Sequence, residues 1–523
     1  MAERGSTSRS RTDRAATGVE GLDAVLNGGL PRDWIYLVQG APGTGKTTLG
    51  LQFLLAGVRA GERVLYVTLS HTERELREIA RSHGWSLEGV PLFEVSAREA
   101  ANRLPADQTV FHTDQVELGE TIDSILEAVS DAQPERLVFD PVEQIRLLTA
   151  SRLRYRRQLL VLKQALTDIP CTSLFLTGPS TEGESELESM VHGIVALERW
   201  SPAYGSVRRP LEIVKGRGML YRGGYHSFRI RTGGLEMHPR LDTEPLGDGG
   251  TLGRATLQCG VEQLDTLLGG GLEEGTACLV LGPTGTGKTS IATLYVHAAV
   301  ERGDAAAVFL FDERPETFFR RAEGLGMDLR PYHESGLVLL QQVSTGEISP
   351  GEFADRVRRA VELDRATVVV IDSLTGYLNA MPHELLLVTQ MHELLTYLSQ
   401  RGVLTLLVMA QGGVPGSEEV IPLDISYLVD DVLLLRHFET DGMLRRAISV
   451  IKKRLGSHES TIRELRLTST GIHVGEPLSA FRNILSGTPT LLPDRHGRRS
   501  DTPRSDAAWE PHQRKPDDGN DGR

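Results

Sequence analysis

Gly40-Ala41-Pro42-Gly43-Thr44-Gly45-Lys46-Thr47 returns later in the chain as Gly282-Pro283-Thr284-Gly285-Thr286-Gly287-Lys288-Thr289. Both stretches have the spacing G-x-x-x-x-G-K-[ST], and that spacing has a mechanical reason. Glycines let the backbone wrap until successive N–H groups face phosphate oxygens, and the amino end of the following helix adds its positive dipole end. In such a loop the lysine, Lys46 or Lys288, reaches the β- and γ-phosphates, and the hydroxyl of Thr47 or Thr289 ligates Mg2+. Thr48 and Ser290 carry each cradle into its helix. One such match is open to a reading as a plain Gly-rich turn. Two matches at equivalent points of a repeat, each between an apolar strand and a helix, imply two ATP sites.

Working outward from the loops exposes a duplication. Gly18-Val19-Glu20-Gly21-Leu22-Asp23, followed by Gly28-Gly29-Leu30, recurs as Gly260-Val261-Glu262-Gln263-Leu264-Asp265, followed by Gly270-Gly271-Leu272. Asp23 to Asp265 is the same offset as Lys46 to Lys288, while later landmarks drift as loops change length. Each half predicts a strand (34–40; 277–282), the phosphate loop and a helix (47–60; 289–302). A second strand (63–69; 306–311), an amphipathic helix (73–83; 315–325) and a third strand (137–140; 367–372) follow. Then come another helix (156–166; 384–400), another strand (171–177; 404–410) and terminal hairpins. Short apolar strands alternating with helices predict an α/β fold with a mostly parallel sheet covered on both faces. The expected layout is a first domain over 14–240, a linker over 241–254, a second domain over 255–490 and a disordered tail over 491–523.

Composition narrows the functional classes. At 523 residues, 40% hydrophobic and 24% charged, the chain is expected to be soluble and multidomain. No apolar run reaches the roughly 20 residues of a membrane span, and the polar, Arg-rich start is no secretory signal. Three cysteines (Cys171, Cys259, Cys278) without metal-ligand spacing point to buried thiols in a reducing, cytoplasmic setting. A net charge of −13 argues against nucleic acid as the main partner and toward nucleotides and proteins.

Further residues complete each site. Asp140 and Asp372 end apolar strands, where an aspartate holds the metal ion through water. At the end of the second strand, where ATPases of this kind place a water-activating acid, the second half has Asp312-Glu313 and the first has Ser70-His71. A positioned general base contributes about 10²–10⁴-fold, so the first site is expected to bind ATP and hydrolyse it slowly. Basic segments recur late in each half: Lys215-Gly216-Arg217, and Lys452-Lys453-Arg454 with His458. They read equally as solvated hairpins or as cations reaching a neighbour's phosphates in the manner of an arginine finger.

Taken together, these motifs resemble the KaiC circadian-clock ATPase family of the RecA superfamily, over roughly residues 17–490. Both phosphate loops, the Gly-Gly-Leu segments, Ile371-Asp372-Ser373-Leu374 and Phe481-Arg482-Asn483 with Ser486-Gly487-Thr488-Pro489-Thr490 carry the likeness. The resemblance implies two RecA-like domains in a two-tiered homo-hexamer with ATP between subunits. In that family the first tier is principally an ATPase and assembly ring, and the second is an autokinase and autophosphatase. Asp312 and Glu313 fall on the family's paired catalytic glutamates of the second domain, one of them shortened, while Ser70 and His71 replace the first-domain pair. Lys452, Arg454 and His458 match a K-x-R-x-x-x-H segment that contacts ATP across the interface. Lys215 and Arg217 match its counterpart, where Tyr221 replaces the histidine, and Pro141 stands where the family has serine. Asp424-Ile425-Ser426-Tyr427 falls on the autophosphorylated Ser-Thr pair, which makes Ser426 the phosphorylation candidate and a full two-site cycle unexpected. The implied protein is a non-clock relative: an ATP- and Mg2+-dependent signalling scaffold with protein partners. A DNA-stimulated ATPase and a protein using ATP as structural glue in its first domain are the competing readings.

Overall fold

The computed structural model describes residues 13–95, 113–147, 151–179, 185–202, 205–243, 255–344, 346–380, 387–411, 427–440, 442–485 and 490–491. Each half builds one nine-stranded sheet. In the first half the strands are β1 (Ile35–Gly40), β2 (Val64–Thr68), β3 (Leu92–Glu94), β4 (Arg136–Asp140), β5 (Thr172–Thr177), β6 (Gly193–Leu197), β7 (Pro210–Gly216), β8 (His226–Arg231) and β9 (Gly234–His238). In the second they are β10 (Ala277–Gly282), β11 (Ala305–Leu310), β12 (Val338–Gln342), β13 (Ala366–Asp372), β14 (Leu404–Ala410), β15 (Asp431–Thr440), β16 (Met443–Lys453), β17 (Arg463–Thr468) and β18 (Gly471–Pro477).

The two sheets have the same order, β3-β2-β4-β5-β1-β6-β7-β8-β9 and β12-β11-β13-β14-β10-β15-β16-β17-β18. Pairing is parallel as far as β6 and β15, then antiparallel through the last three strands. The central strands are buried along their whole length, as expected for parallel strands covered by helices on both faces. α1 (Lys46–Arg59) and α2 (Lys288–Glu301) start at the phosphate loops and are buried almost all round beneath the sheets. This fold is a pair of tandem RecA-like domains.

The edge strands β3 and β12, and the helix α3 (Pro350–Glu362), are elements that the periodicity reading missed. β3 and β12 are short and half-exposed, so neither shows a continuous apolar run. Two residues at the expected domain borders are ordered into neighbouring structure. Leu241 is buried in the second half's core with Leu279 and Leu398, and Leu491 pairs with Phe481.

α3 carries part of the contact between the halves, beside the pairs Arg240–Glu393 and Ser206–Glu347. Gly351 lets it approach β8 closely, since a Cβ there would lie 2.6 Å from Ser227 Oγ. Glu352 pairs with Arg229 at 2.5 Å and Arg231 at 3.5 Å, and Asp355 meets His238 Nδ1 at 3.1 Å. Burial alone would raise the Asp355 carboxyl, but His238, Arg358 and Arg359 bring it down to about 2. A depressed carboxyl stabilises the contact above its unfolded value near 3.8 and loses that contribution as the pH falls toward 2. Asp355→Asn is therefore expected to destabilise the protein at neutral pH by roughly 2 kcal/mol. In thermal melts its gap to the wild type should narrow below about pH 3.

Candidate nucleotide sites

Both phosphate loops leave the carboxyl end of a central strand, flanked by parallel neighbours on each side, the place where open α/β sheets bind ligands. Gly43 and Gly45 take φ of 78° and 106°, and Gly285 and Gly287 take 82° and 101°, the left-handed region glycine tolerates best. Each loop is braced by its own threonine: Thr44 donates to the Ala41 carbonyl and Thr286 to that of Pro283, both at 2.8 Å. The last hairpins support the loops from the side, with Ile230 against Gly45 and Leu467 against Gly287.

The lysines fold back onto these cradles. Lys46 Nζ donates to the carbonyls of Gly40 at 2.5 Å and Ala41 at 3.1 Å, and Lys288 Nζ donates to that of Pro283 at 2.8 Å. Burial lowers the pKa of both ammonium groups, opposed by Asp140 and Glu143 around Lys46 and by Asp372 near Lys288. Thr47 Oγ1 lies 2.9 Å from Asp140 Oδ2, and Asp372 is likewise hydrogen-bonded by Thr289. Burial raises the Asp372 carboxyl from its ordinary value. A buried acid beside a hydroxyl, with a lysine close by, is a donor set that would hold a hydrated Mg2+ ion, which would supply positive charge to a bound nucleotide.

The acids at the second strand end differ as their sequences imply. Leu310 is in register with Asp372, which brings Asp312 and Glu313 beside the second loop. Ser373 Oγ donates to Asp312 Oδ2 at 2.5 Å, and Gly376 leaves room for that carboxylate. Glu313 pairs with Arg321 at 2.6 Å. In the first half Thr68 is in register with Asp140, and Ser70 and His71 occupy the corresponding turn. His71 Nδ1 is 2.9 Å from Ser70 Oγ and 3.9 Å from Asp140 Oδ2.

The basic segments lie at the other end of the sheet. Lys452 pairs with Val432, which lies beside Leu279, three residues before Gly282. Lys215 pairs with Ile194, which lies beside Leu37. At ~3.3 Å per residue, these cations sit back from their own phosphate loops by about 10 Å along the strand and two strands sideways, with the chain leading farther away. Lys452 Nζ rests on the Val429 carbonyl at 2.6 Å, Arg454 pairs with Asp430 at 2.8 Å, and His458 is half-buried nearby. Lys215 Nζ donates to the Glu188 carbonyl at 2.5 Å, and Arg217 reaches that of Ser189 at 3.5 Å. A role at the phosphates is open to them only in another subunit's site.

Several residues at these sites carried no signal in the sequence. Tyr66, Glu143 and Arg321 reach the sites through tertiary packing rather than motif spacing. The buried Lys453, bonded to the carbonyls of Leu268 and Gly271 and to Glu273, ties the basic segment to the second half's Gly-Gly-Leu turn. Ser426 lies outside the described residues.

Fold and sites together define a tandem P-loop ATPase of the RecA-like class. A family model described as "ATPase: KaiC" matches residues 15–242 and 257–479. The chain is 28% identical over 495 residues to the circadian clock protein KaiC3 of Synechocystis sp., covering 91% of this chain and 94% of that one. It is 28% identical over 486 residues to the circadian clock oscillator protein KaiC of Synechococcus elongatus, covering 91% and 92%. The chain belongs to the KaiC family, and its duplicated ATPase domain makes it an ATP-binding, KaiC-like protein. Among the described residues no helix is long and apolar enough to cross a membrane.

Proposed function

We propose that this protein is a Mg2+-dependent ATPase whose second domain carries most of the turnover and phosphorylates its own Ser426. Its first domain, over 14–240, binds ATP chiefly to hold subunits together, and the second spans 255–490. Six copies close into a ring with ATP between neighbours, and signalling proteins dock on that scaffold in the cytoplasm. The observation that carries the reading is the contrast at the two strand ends. Asp312 and Glu313 follow Leu310, the residue in register with Asp372, whereas the matching turn after Thr68, in register with Asp140, holds Ser70 and His71. The remote cations Lys215, Arg217, Lys452 and Arg454 support assembly through the nucleotide, because each lies at the far end of its own sheet. Tyr427 in place of the family's threonine favours a function outside the clock cycle.

Incubation with γ-labelled ATP followed by peptide mass spectrometry tests the kinase part. The expected result is phosphate on the peptide containing Ser426, lost in Ser426→Ala. A chain that hydrolyses ATP and acquires no label is an ATPase only.

A further inference from the structure

The first site departs from the second in one more respect. Tyr66, in the middle of β2, is fully buried in the core against α1. Its hydroxyl donates to Asp140 Oδ2 at 2.6 Å. The same oxygen accepts Thr47 Oγ1 at 2.9 Å. Tyr66 is opposite Val138, two residues before the Thr68–Asp140 pair. In the second sheet that register position, two residues before the Leu310–Asp372 pair, is Val308, which has no polar atom.

A carboxylate offers about four lone-pair positions, two on each oxygen. Thr47 and Tyr66 occupy both positions on the oxygen that faces the phosphate loop. Each neutral donor also draws negative charge away from the acid, and a divalent cation depends on that charge. Tyr66 is fully buried in the same core cluster as Leu49, Phe53 and Val138. In the second site Asp372 has Thr289 as its hydroxyl partner and no tyrosine, while Asp312 and Glu313 follow at the adjoining strand end.

We propose that Tyr66 is a positioning residue that holds Asp140 toward Thr47 and weakens its grip on Mg2+, so that the first site retains nucleotide with a loosely bound metal. The inference rests on the reading of the first site as nucleotide-binding and gives a physical route to its slow hydrolysis.

The test uses the full chain saturated with ADP and Mn2+ as the spectroscopic probe, with free Mn2+ read by electron paramagnetic resonance. Loss of an outer-shell partner typically lowers metal affinity about 10–100-fold. Tyr66 differs in competing for the ligating oxygen itself, so its loss is expected to act by a similar factor in the opposite direction. The wild type is therefore expected to show two classes of bound Mn2+ that differ about tenfold or more. Tyr66→Phe keeps the ring and removes the hydroxyl, and it should tighten the weaker class to within roughly threefold of the stronger. Tyr66→Leu should do the same, which separates the hydroxyl from the ring. Two ADP per chain with unchanged Mn2+ classes in both variants, or with weaker binding, overturns the role of Tyr66 alone. One ADP per chain overturns the reading of the first site and this inference with it.

Discussion

Lys288→Ala is expected to lower steady-state ATP hydrolysis by about 10²-fold or more and to abolish phosphate incorporation. Lys288 is 8% exposed, and its ammonium group rests on its own loop and lies in the field of Asp372. Burial has already stripped much of its water and lowered its pKa, so it is poised to exchange a loop carbonyl for phosphate oxygens at little reorganisation. Removing one pre-organised donor to a developing negative charge typically costs about 10²–10³ in turnover. The measurement is phosphate release alongside labelling, with light scattering to show that the particle survives. A variant that retains most of its hydrolysis would move the chemistry to the first domain, and Glu313→Gln offers an independent check there. Glu313 and Asp312 touch neither lysine, so loss of turnover in Glu313→Gln with nucleotide still bound points to water activation rather than binding.

Lys46→Ala is expected to have its largest effect on assembly: in ATP the scattering mass should fall from that of a ring toward that of single chains. The first-domain cations are too far from their own loop to serve it, so in the ring proposed above nucleotide held by Lys46 links to a neighbour's Lys215 and Arg217. A charge-assisted hydrogen bond contributes about 1.5–3 kcal/mol, and a closed ring repeats the loss at every interface. Arg217→Ala should weaken the ring in the same direction from the opposite side of the contact. If Lys46→Ala leaves the ring intact while hydrolysis collapses, the first site is catalytic and the division of labour is reversed.

The site was legible where one short motif contains all its own geometry. The phosphate loops are of this kind, because glycine spacing, lysine and threonine act within eight residues of one turn. Asp140 and Asp372 were legible because an apolar run ending in an acid marks a strand end. Asp312 and Glu313 could be placed because the duplication supplied an internal reference. The edge strands β3 and β12 escaped because they are half-exposed, whereas α3 was missed although Phe353, Val357 and Ala360 mark a helical apolar face buried in its own half's core. Nothing near Tyr66 in the chain announces Asp140 as its partner, which lies 74 residues away.

The sequence by itself therefore determined the class of the molecule: two RecA-like domains, two ATP cradles and an unequal pair of strand-end acids. These follow from local rules of backbone conformation, periodicity and charge. The tertiary structure alone decided which side chains meet. Sheet register set Asp312 and Glu313 beside Asp372, sent the basic segments to the far end of each sheet, and carried the hydroxyl of Tyr66 to Asp140. Such contacts depend on pairing between distant strands, where one residue of register turns a side chain from the site to the opposite face.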